Sequence, residues 1–223
     1  VSDPDSGHVV KALSSAEFLL CIDIFPTPTT ELAHMVLPGA SFAETDGTFT
    51  NSERRVQRVR QAIPPMAGRT NGQIIQALSR RLGYDMHHAS ASEVFDEICS
   101  LAPSMGGMSY ARLEGEGLCW PCPTPGHPGT PILHLGRFTR GKGLFAAIPH
   151  VPPAELPDEE YPLLLSTGMR HAHYLTGTMT RRCAMLEREL PELVTDINPA
   201  DARRLEIREG ARLRMVSRRG AVV

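Results

Sequence analysis

No stretch of this sequence is long and apolar enough to cross a bilayer: the longest apolar runs, residues 18–24 and 163–165, fall far short of the ~20 residues that a spanning helix needs. A targeting segment is missing as well. The opening VSDPDSGHVV has neither an initiator Met nor the basic-then-apolar order of a secretory signal. We therefore expect the chain to begin inside a longer polypeptide, with cytoplasm favoured over periplasm. Cysteine is sparse and odd in number, with five residues at positions 21, 99, 119, 122 and 183. That is a poor fit to a disulfide framework, and reduced thiols are expected. Nor is there an excess of charge of one sign. Lys+Arg number 23 against 25 Asp+Glu, a formal net charge of -2, which gives no overall field to draw in nucleic acid or an acidic membrane surface. Internal repeats are absent too.

What is present is enough chain, 223 residues, for one large or two small domains with a real core. Residues 18–24, closed by Phe25-Pro26, read as a buried strand with Asp23 at its carboxyl end. A short helical turn over 29–35 and a strand at 35–37 stopped by Pro38 and Gly39 complete a strand, crossover, strand pattern, so this half reads as α/β. From Asn71 the period becomes helical, with Ile74, Ile75, Leu78 and Leu82 on one face, Arg80 and Arg81 in the last turn and Gly83 as the stop. Ser90 and Glu93 have capping-box spacing for a second helix with the stripe Val94, Phe95, Ile98 and Leu101, ended by Pro103. Cys21, Cys99 and Cys183 lie in or beside apolar patterns and read as small core residues. Between 103 and 157 periodicity fades into Pro- and Gly-rich sequence, which reads as a surface excursion joining two domains. Residues 161–165 predict a strand entering a loop over 166–182. Asn198 as N-cap and Pro199 predict a short helix, followed by Gly210, an alternating strand over 211–215 and a hairpin at Arg219-Gly220.

The loop Ser166-Thr-Gly-Met-Arg-His-Ala-His-Tyr-Leu-Thr-Gly-Thr-Met-Thr-Arg-Arg182 concentrates hydroxyls, two His, two Gly and several Arg at a strand's carboxyl end. Hydroxyls and exposed backbone N–H groups pair with ring nitrogens and phosphate oxygens, Gly permits close backbone approach, and Arg adds charge-assisted bonds. Such a loop suits an anionic, heteroatom-rich ligand; the competing reading is a polar surface turn. Cys119-Trp-Pro-Cys122 has the spacing of half a zinc site or a redox pair, but no second pair follows, and His127 and His134 are the only nearby recruits. The arginines at 203, 204, 208, 212, 214, 218 and 219 are interrupted by acids and read first as a solvated face.

The loop also resembles the pterin-binding segment of the molybdopterin oxidoreductases, through Thr167, Gly168, His173, Tyr174, Thr176, Gly177 and the run to Arg182. Two positions depart from that pattern: Met169 stands where the family has Arg, with Arg170 beside it, and Leu175 stands where it has His. The resemblance covers nearly the whole chain. Asp23-Ile-Phe-Pro-Thr27, Glu31 to Pro38, Phe42-Ala-Glu44 and Asp46 to Gln57 look like the third domain of those subunits, and Trp120-Pro-Cys-Pro and HLGRFTRGKG at 134–143 look like formate dehydrogenase rather than periplasmic nitrate reductase.

The resemblance implies a partial Rossmann-like α/β region over 1–102, a connecting excursion over 103–157, and over 158–223 the start of a double-psi β-barrel that binds molybdopterin dinucleotide. It implies cofactor contacts from Asp23, Asn71, Thr167, Gly168, Met169, Arg170, His173, Tyr174, Leu175 and Thr176. Asp23 has the competing role of a strand-end cap. Thr45 and Asn71 replace a charged Lys and Asp of the family, and Glu206 replaces a Gly. The implied activity is formate oxidation to CO2 at a bis-molybdopterin guanine dinucleotide centre holding Mo or W, with the rest of the subunit, electron-transfer subunits and formate as partners. The 4Fe-4S cluster, the metal ligand and the catalytic His and Arg are expected upstream of Val1, so these residues alone are expected to be inactive. A periplasmic-type nitrate reductase and a cofactor-free scaffold like the large iron–sulfur subunit of complex I are the alternatives.

Overall fold

Helix α1 (Ser6–Ser14) begins where the Asp5 carboxylate accepts the His8 N–H at 3.1 Å, satisfying one of the unpaired N–H groups of the first turn. Strand β1 (Leu20–Asp23) then leads through the single-turn helix α2 (Pro28–Glu31) into β2 (Met35–Pro38). Thr27 and Thr30 fix that turn reciprocally: each side-chain oxygen accepts the other's backbone N–H, at 3.3 and 2.8 Å. β1 and β2 pair in parallel, Leu20 opposite Met35 through Asp23 opposite Pro38, which is the expected strand, crossover, strand unit. The computed structural model describes residues 5–153 and 155–222, and these divide between Phe145 and Ala146 into two compact units.

In the first unit the run 18–24 is a half-buried strand rather than a buried one, with Phe18 61% exposed. Among the described residues this sheet has only two strands. An antiparallel hairpin follows, β3 (Gly47–Thr50) with β4 (Arg55–Val59). Its tip is ordered by the Asn51 side chain, which accepts the N–H groups of Glu53 and Arg55 at 2.9 and 3.0 Å, while Arg54 adopts a left-handed φ of +65°. Helix α3 (Asn71–Arg81) opens on a Thr70–Gln73 capping box and stops at Gly83, where φ is +87°. Its buried residues are Ile74 and Ala77. Ile75 is half exposed and Leu82, beyond the last turn, is 85% exposed, so the buried stripe is narrower than its periodicity implies. In α4 (Ala91–Leu101) Ser90 caps Glu93 as expected, while Glu93 reaches back to the N–H of Ala89 rather than Ser90. Phe95 and Cys99 are its buried residues; Val94, Ile98 and Leu101 stay exposed.

The stretch expected as surface excursion contributes core residues in its first half, while residues 131–153 are exposed. Met108, Leu113 and Cys122 pack with Val56, Phe95 and Cys99 in one cluster, and β5 (Leu118–Cys119) pairs with β4, Arg55 opposite Cys119. Guanidinium groups do what periodicity does elsewhere. Arg54 donates to the carbonyls of Trp120, Thr130 and Pro131, and Arg112 to those of Gly107 and His127. Arg58 bonds Asp46 and Glu114 and lies 3.7 Å over the Tyr110 ring. A loop held through its own carbonyls leaves no hydrophobic period to read.

In the second unit residues 161–165 do not form the expected strand. Local bonds take its place: Asp158 Oδ1 accepts the N–H groups of Glu160 and Tyr161 at 3.0 and 2.9 Å, and Arg218 lies 4.7 Å over the Tyr161 ring. Helix α5 (Ala184–Glu189) follows the loop, preceded by Cys183, which is exposed rather than a core residue. Helix α6 (Pro199–Arg204) carries the expected Asn198 cap, whose side chain accepts the Ala200 N–H at 2.8 Å. Residues 211–214 are not a strand. The strands here are β6 (Met215–Ser217) and β7 (Gly220–Val222), the two arms of the expected hairpin. No closed barrel is found among the described residues.

Candidate functional site

Three residues distant in sequence meet at the carboxyl end of β1. Asp23 ends that strand, Gly39 follows β2, and Asn71 is the first residue of α3. Gly39 N–H donates to the Asp23 carbonyl at 2.9 Å, and Ala40 N–H donates to Asn71 Oδ1 at 2.8 Å. A Cβ on Gly39 would lie 3.2 Å from both Asn71 Oδ1 and the Asp23 carbonyl carbon, so glycine permits this approach. Asp23 does cap its strand: Oδ1 accepts the Ile24 and Phe25 N–H groups at 2.7 and 3.3 Å. Oδ2 has no hydrogen-bond partner among the described residues and keeps two lone pairs for an incoming donor. Thr45 turns its hydroxyl to the Asp46 carbonyl at 3.3 Å. A wider polar cleft of about 620 Å³, lined by Arg69, Gln76, Arg80, His87, His88 and Glu93, includes neither Asp23 nor Asn71.

The structure also shows what braces this region. Glu44 is buried; its two oxygens accept the Met66 N–H at 2.6 Å and the Ser41 N–H at 2.7 Å. These bonds, Met66 first, hold its carboxyl below the usual carboxylate range. Burial pushes the Cys99 thiol up, which keeps it protonated. Cys119 and Cys122 are both buried, and the Cys122 thiol donates to the His127 carbonyl at 3.4 Å.

In the second unit the loop after residue 166 is built around His173, which is only 8% exposed. Its Nε2 lies 2.7 Å from the Leu190 carbonyl and its Nδ1 3.1 Å from Thr180 Oγ1. Thr180 Oγ1 in turn accepts the Tyr174 N–H at 3.3 Å. A tight turn spans residues 174–177, closed by Gly177 N–H on the Tyr174 carbonyl at 2.9 Å, with left-handed φ of +50° at Leu175 and +76° at Gly177. The Arg181 side chain packs on Gly177 and then pairs with Glu187 at 3.1 Å. Thr167, Gly168, Met169, Arg170, Tyr174, Leu175 and Thr176 are exposed, Tyr174 at 70%, and Arg170 bonds Asp196 at 2.7 Å. Thr180, Gly39 and Glu187 were not singled out from the sequence. For Gly39, its place one residue past the strand-ending proline is the available signal. Thr180 sits inside a recognisable run whose spacing does not reveal which hydroxyl turns inward.

The molybdopterin oxidoreductase family model matches residues 1–81, and the molydopterin dinucleotide binding domain matches residues 163–223, together more than half of the chain. This chain belongs to the molybdopterin oxidoreductases. It is 48% identical over its whole length to the alpha subunit of F420-dependent formate dehydrogenase 2 from Methanococcus maripaludis, and 45% identical to the corresponding alpha subunit from Methanocaldococcus jannaschii. The assimilatory nitrate reductase catalytic subunit of Bacillus subtilis is 36% identical, again over the whole chain. The chain spans about a third of the length of these relatives, 34% of both formate dehydrogenase subunits. The two matched segments fall one in each compact unit, with Asp23 and Asn71 in the first and the 167–176 loop in the second.

Proposed function

We propose that this chain is the cofactor-cradling part of a formate dehydrogenase catalytic subunit, and that each unit contributes contacts to one of two molybdopterin guanine dinucleotides. The observation that carries the reading is the loop over 167–176: it is tied down from inside by His173 and Thr180, and it leaves Thr167, Gly168, Tyr174 and Thr176 exposed. That donor set fits a large, heteroatom-rich, anionic group. In the first unit, Asp23 Oδ2 and the Asn71 side chain stand at the carboxyl ends of parallel strands beside a helix N-terminus, the usual place for a nucleotide in an open α/β sheet. This placement supports a partial Rossmann-like reading there. The match over 163–223 supports a double-psi barrel begun in the second unit.

The chemistry the bound group supplies is the two-electron oxidation of formate to CO2 at Mo or W. These residues would bind and orient it, each unit through its own contacts. The metal ligand, the catalytic His and Arg and the 4Fe-4S cluster are assigned to the remaining domains of the subunit, and the electrons leave through partner subunits. No helix among the described residues is long and apolar enough to cross a membrane. Cys99 and Cys122 share a core cluster as free thiols, which supports a reducing compartment such as the cytoplasm.

The test uses the complete polypeptide. Molybdenum or tungsten at about one per chain, together with formate-dependent dye reduction, is the expected result. A metal-free protein would instead favour a scaffold that has lost its cofactor. Metal with nitrate reduction and no formate oxidation would favour the nitrate reductase reading, which the Bacillus subtilis relative keeps open.

A further inference from the structure

His173 is the one buried polar side chain in the second unit's loop, and every polar atom of its ring is already engaged inside that unit. The Leu190 carbonyl can only accept, so Nε2 carries the proton and donates to it. A neutral ring that donates from Nε2 accepts at Nδ1, and in that form Thr180 is the donor in that contact. With its proton directed to His173, Thr180 Oγ1 uses a lone pair to accept the Tyr174 N–H. The result is a directed relay from the Tyr174 amide through Thr180 and His173 to the end of α5. Arg181 reinforces the same end, donating from Nη1 to the Pro191 carbonyl at 3.2 Å and to Glu187, whose other neighbour is His173 Nε2 at 3.6 Å. Above this relay the turn over 174–177 holds Leu175 left-handed, a conformation that a leucine adopts only when its surroundings impose it.

We infer that His173 and Thr180 are positioning residues: they touch no part of the cofactor and act by locking the 174–177 turn, whose exposed residues Tyr174, Leu175 and Thr176 make the contact. This rests on the cofactor-cradle reading above. A satisfied relay anchored on a buried ring is a stiff mount, and preorganising a loop raises affinity by removing the ordering cost at binding. His173 has no donor left to give a ligand without breaking the relay.

The experiment is made on the full-length enzyme, with pterin content (fluorescence of the oxidised pterin released on denaturation) and metal content measured per folded chain. His173→Ala, Thr180→Val, their double variant and Thr180→Ser are compared. The expected result is a loss of at least about tenfold in pterin retention for either single variant, no further loss in the double variant, and recovery in Thr180→Ser, which restores the hydroxyl. Rescue and non-additivity in pterin content are readouts that a general loss of stability does not produce. If Thr180→Val retains its pterin while His173→Ala loses it, His173 contacts the cofactor directly and the inference fails alone. If neither variant moves pterin content, the loop is not part of the cradle, and the functional reading of this segment falls with it.

Discussion

Glu206 occupies the position where α6 must reverse its backbone. The Ile207 N–H bonds the Ala202 carbonyl at 2.8 Å and the Glu206 N–H bonds the Arg203 carbonyl at 3.2 Å, while Glu206 itself has φ +54°. These are the paired bonds of a Schellman ending, with the left-handed residue just past the cap, where glycine is the usual occupant. A left-handed L-residue costs about 1–2 kcal/mol, and glycine returns roughly 0.5–1 kcal/mol of that through its freer unfolded chain. Glu206→Gly should therefore stabilise by a net ~0.5–1 kcal/mol, raising Tm by about 1–4 °C for a chain of this size. Glu206→Asn, which tolerates the left-handed region without glycine's entropy, should also gain, and Glu206→Ala should not. Differential scanning calorimetry of the three variants decides it. A Glu206→Gly protein that melts at or below the parent temperature, or an Ala variant that gains as much as Gly, would refute the reasoning.

Gly107 is the tightest approach in the first unit: a Cβ there would sit 2.0 Å from the Thr124 carbonyl oxygen and 2.3 Å from its carbon. Gly107→Ala must push that backbone off the core at Cys122, and a loss of at least about 2 kcal/mol in urea unfolding is expected. Glu44 gives a pH test. Its folded carboxyl titrates below the ordinary value, so its contribution is fully present above about pH 4.3 and is lost as pH falls through the folded value. Glu44→Gln should be less stable at neutral pH and should lose less of its remaining stability than the parent on acidification, read from urea midpoints across the range. Met169 is 70% exposed, and the family resemblance implies Arg at its position, so Met169→Arg in the full-length enzyme should leave pterin content equal or higher. A fall would mean that this position packs against something apolar.

The elements legible in the sequence were those with a local cause. Ser90 and Asn198 each announce a helix start through a side chain that caps its own neighbours, and the β1–β2 crossover follows from the Pro38-Gly39 stop; Thr27 and Thr70 cap α2 and α3 in the same way, although neither was singled out from the sequence. Residues 103–131 were misread because their order comes from guanidinium-to-carbonyl bonds and a Cys-, Met- and Leu-lined cluster, neither of which leaves a period. Residues 161–165 show the opposite error. Their composition suits a strand, but a strand exists only with a neighbour, and the Asp158 turn and the Tyr161–Arg218 contact order the chain instead. For the candidate site, residue types in the 166–182 loop pointed to a segment that lies inside the matched dinucleotide binding domain, while the division between inward and outward groups was not readable. His173 and Tyr174 are adjacent in sequence, yet one is buried and the other exposed.

The cluster that joins Val56 to Cys122 also sets a timetable. A ribosome adding ~5–20 residues per second takes on the order of 3–13 s to go from one to the other. During that interval the β3–β4 hairpin and then α4 are made before the residues that complete the cluster over their apolar sides. Closing so long a loop costs little more than closing one half its length, so the delay is kinetic rather than energetic. The nascent first unit stays a client for chaperones until the segment that looks most like a linker has been made.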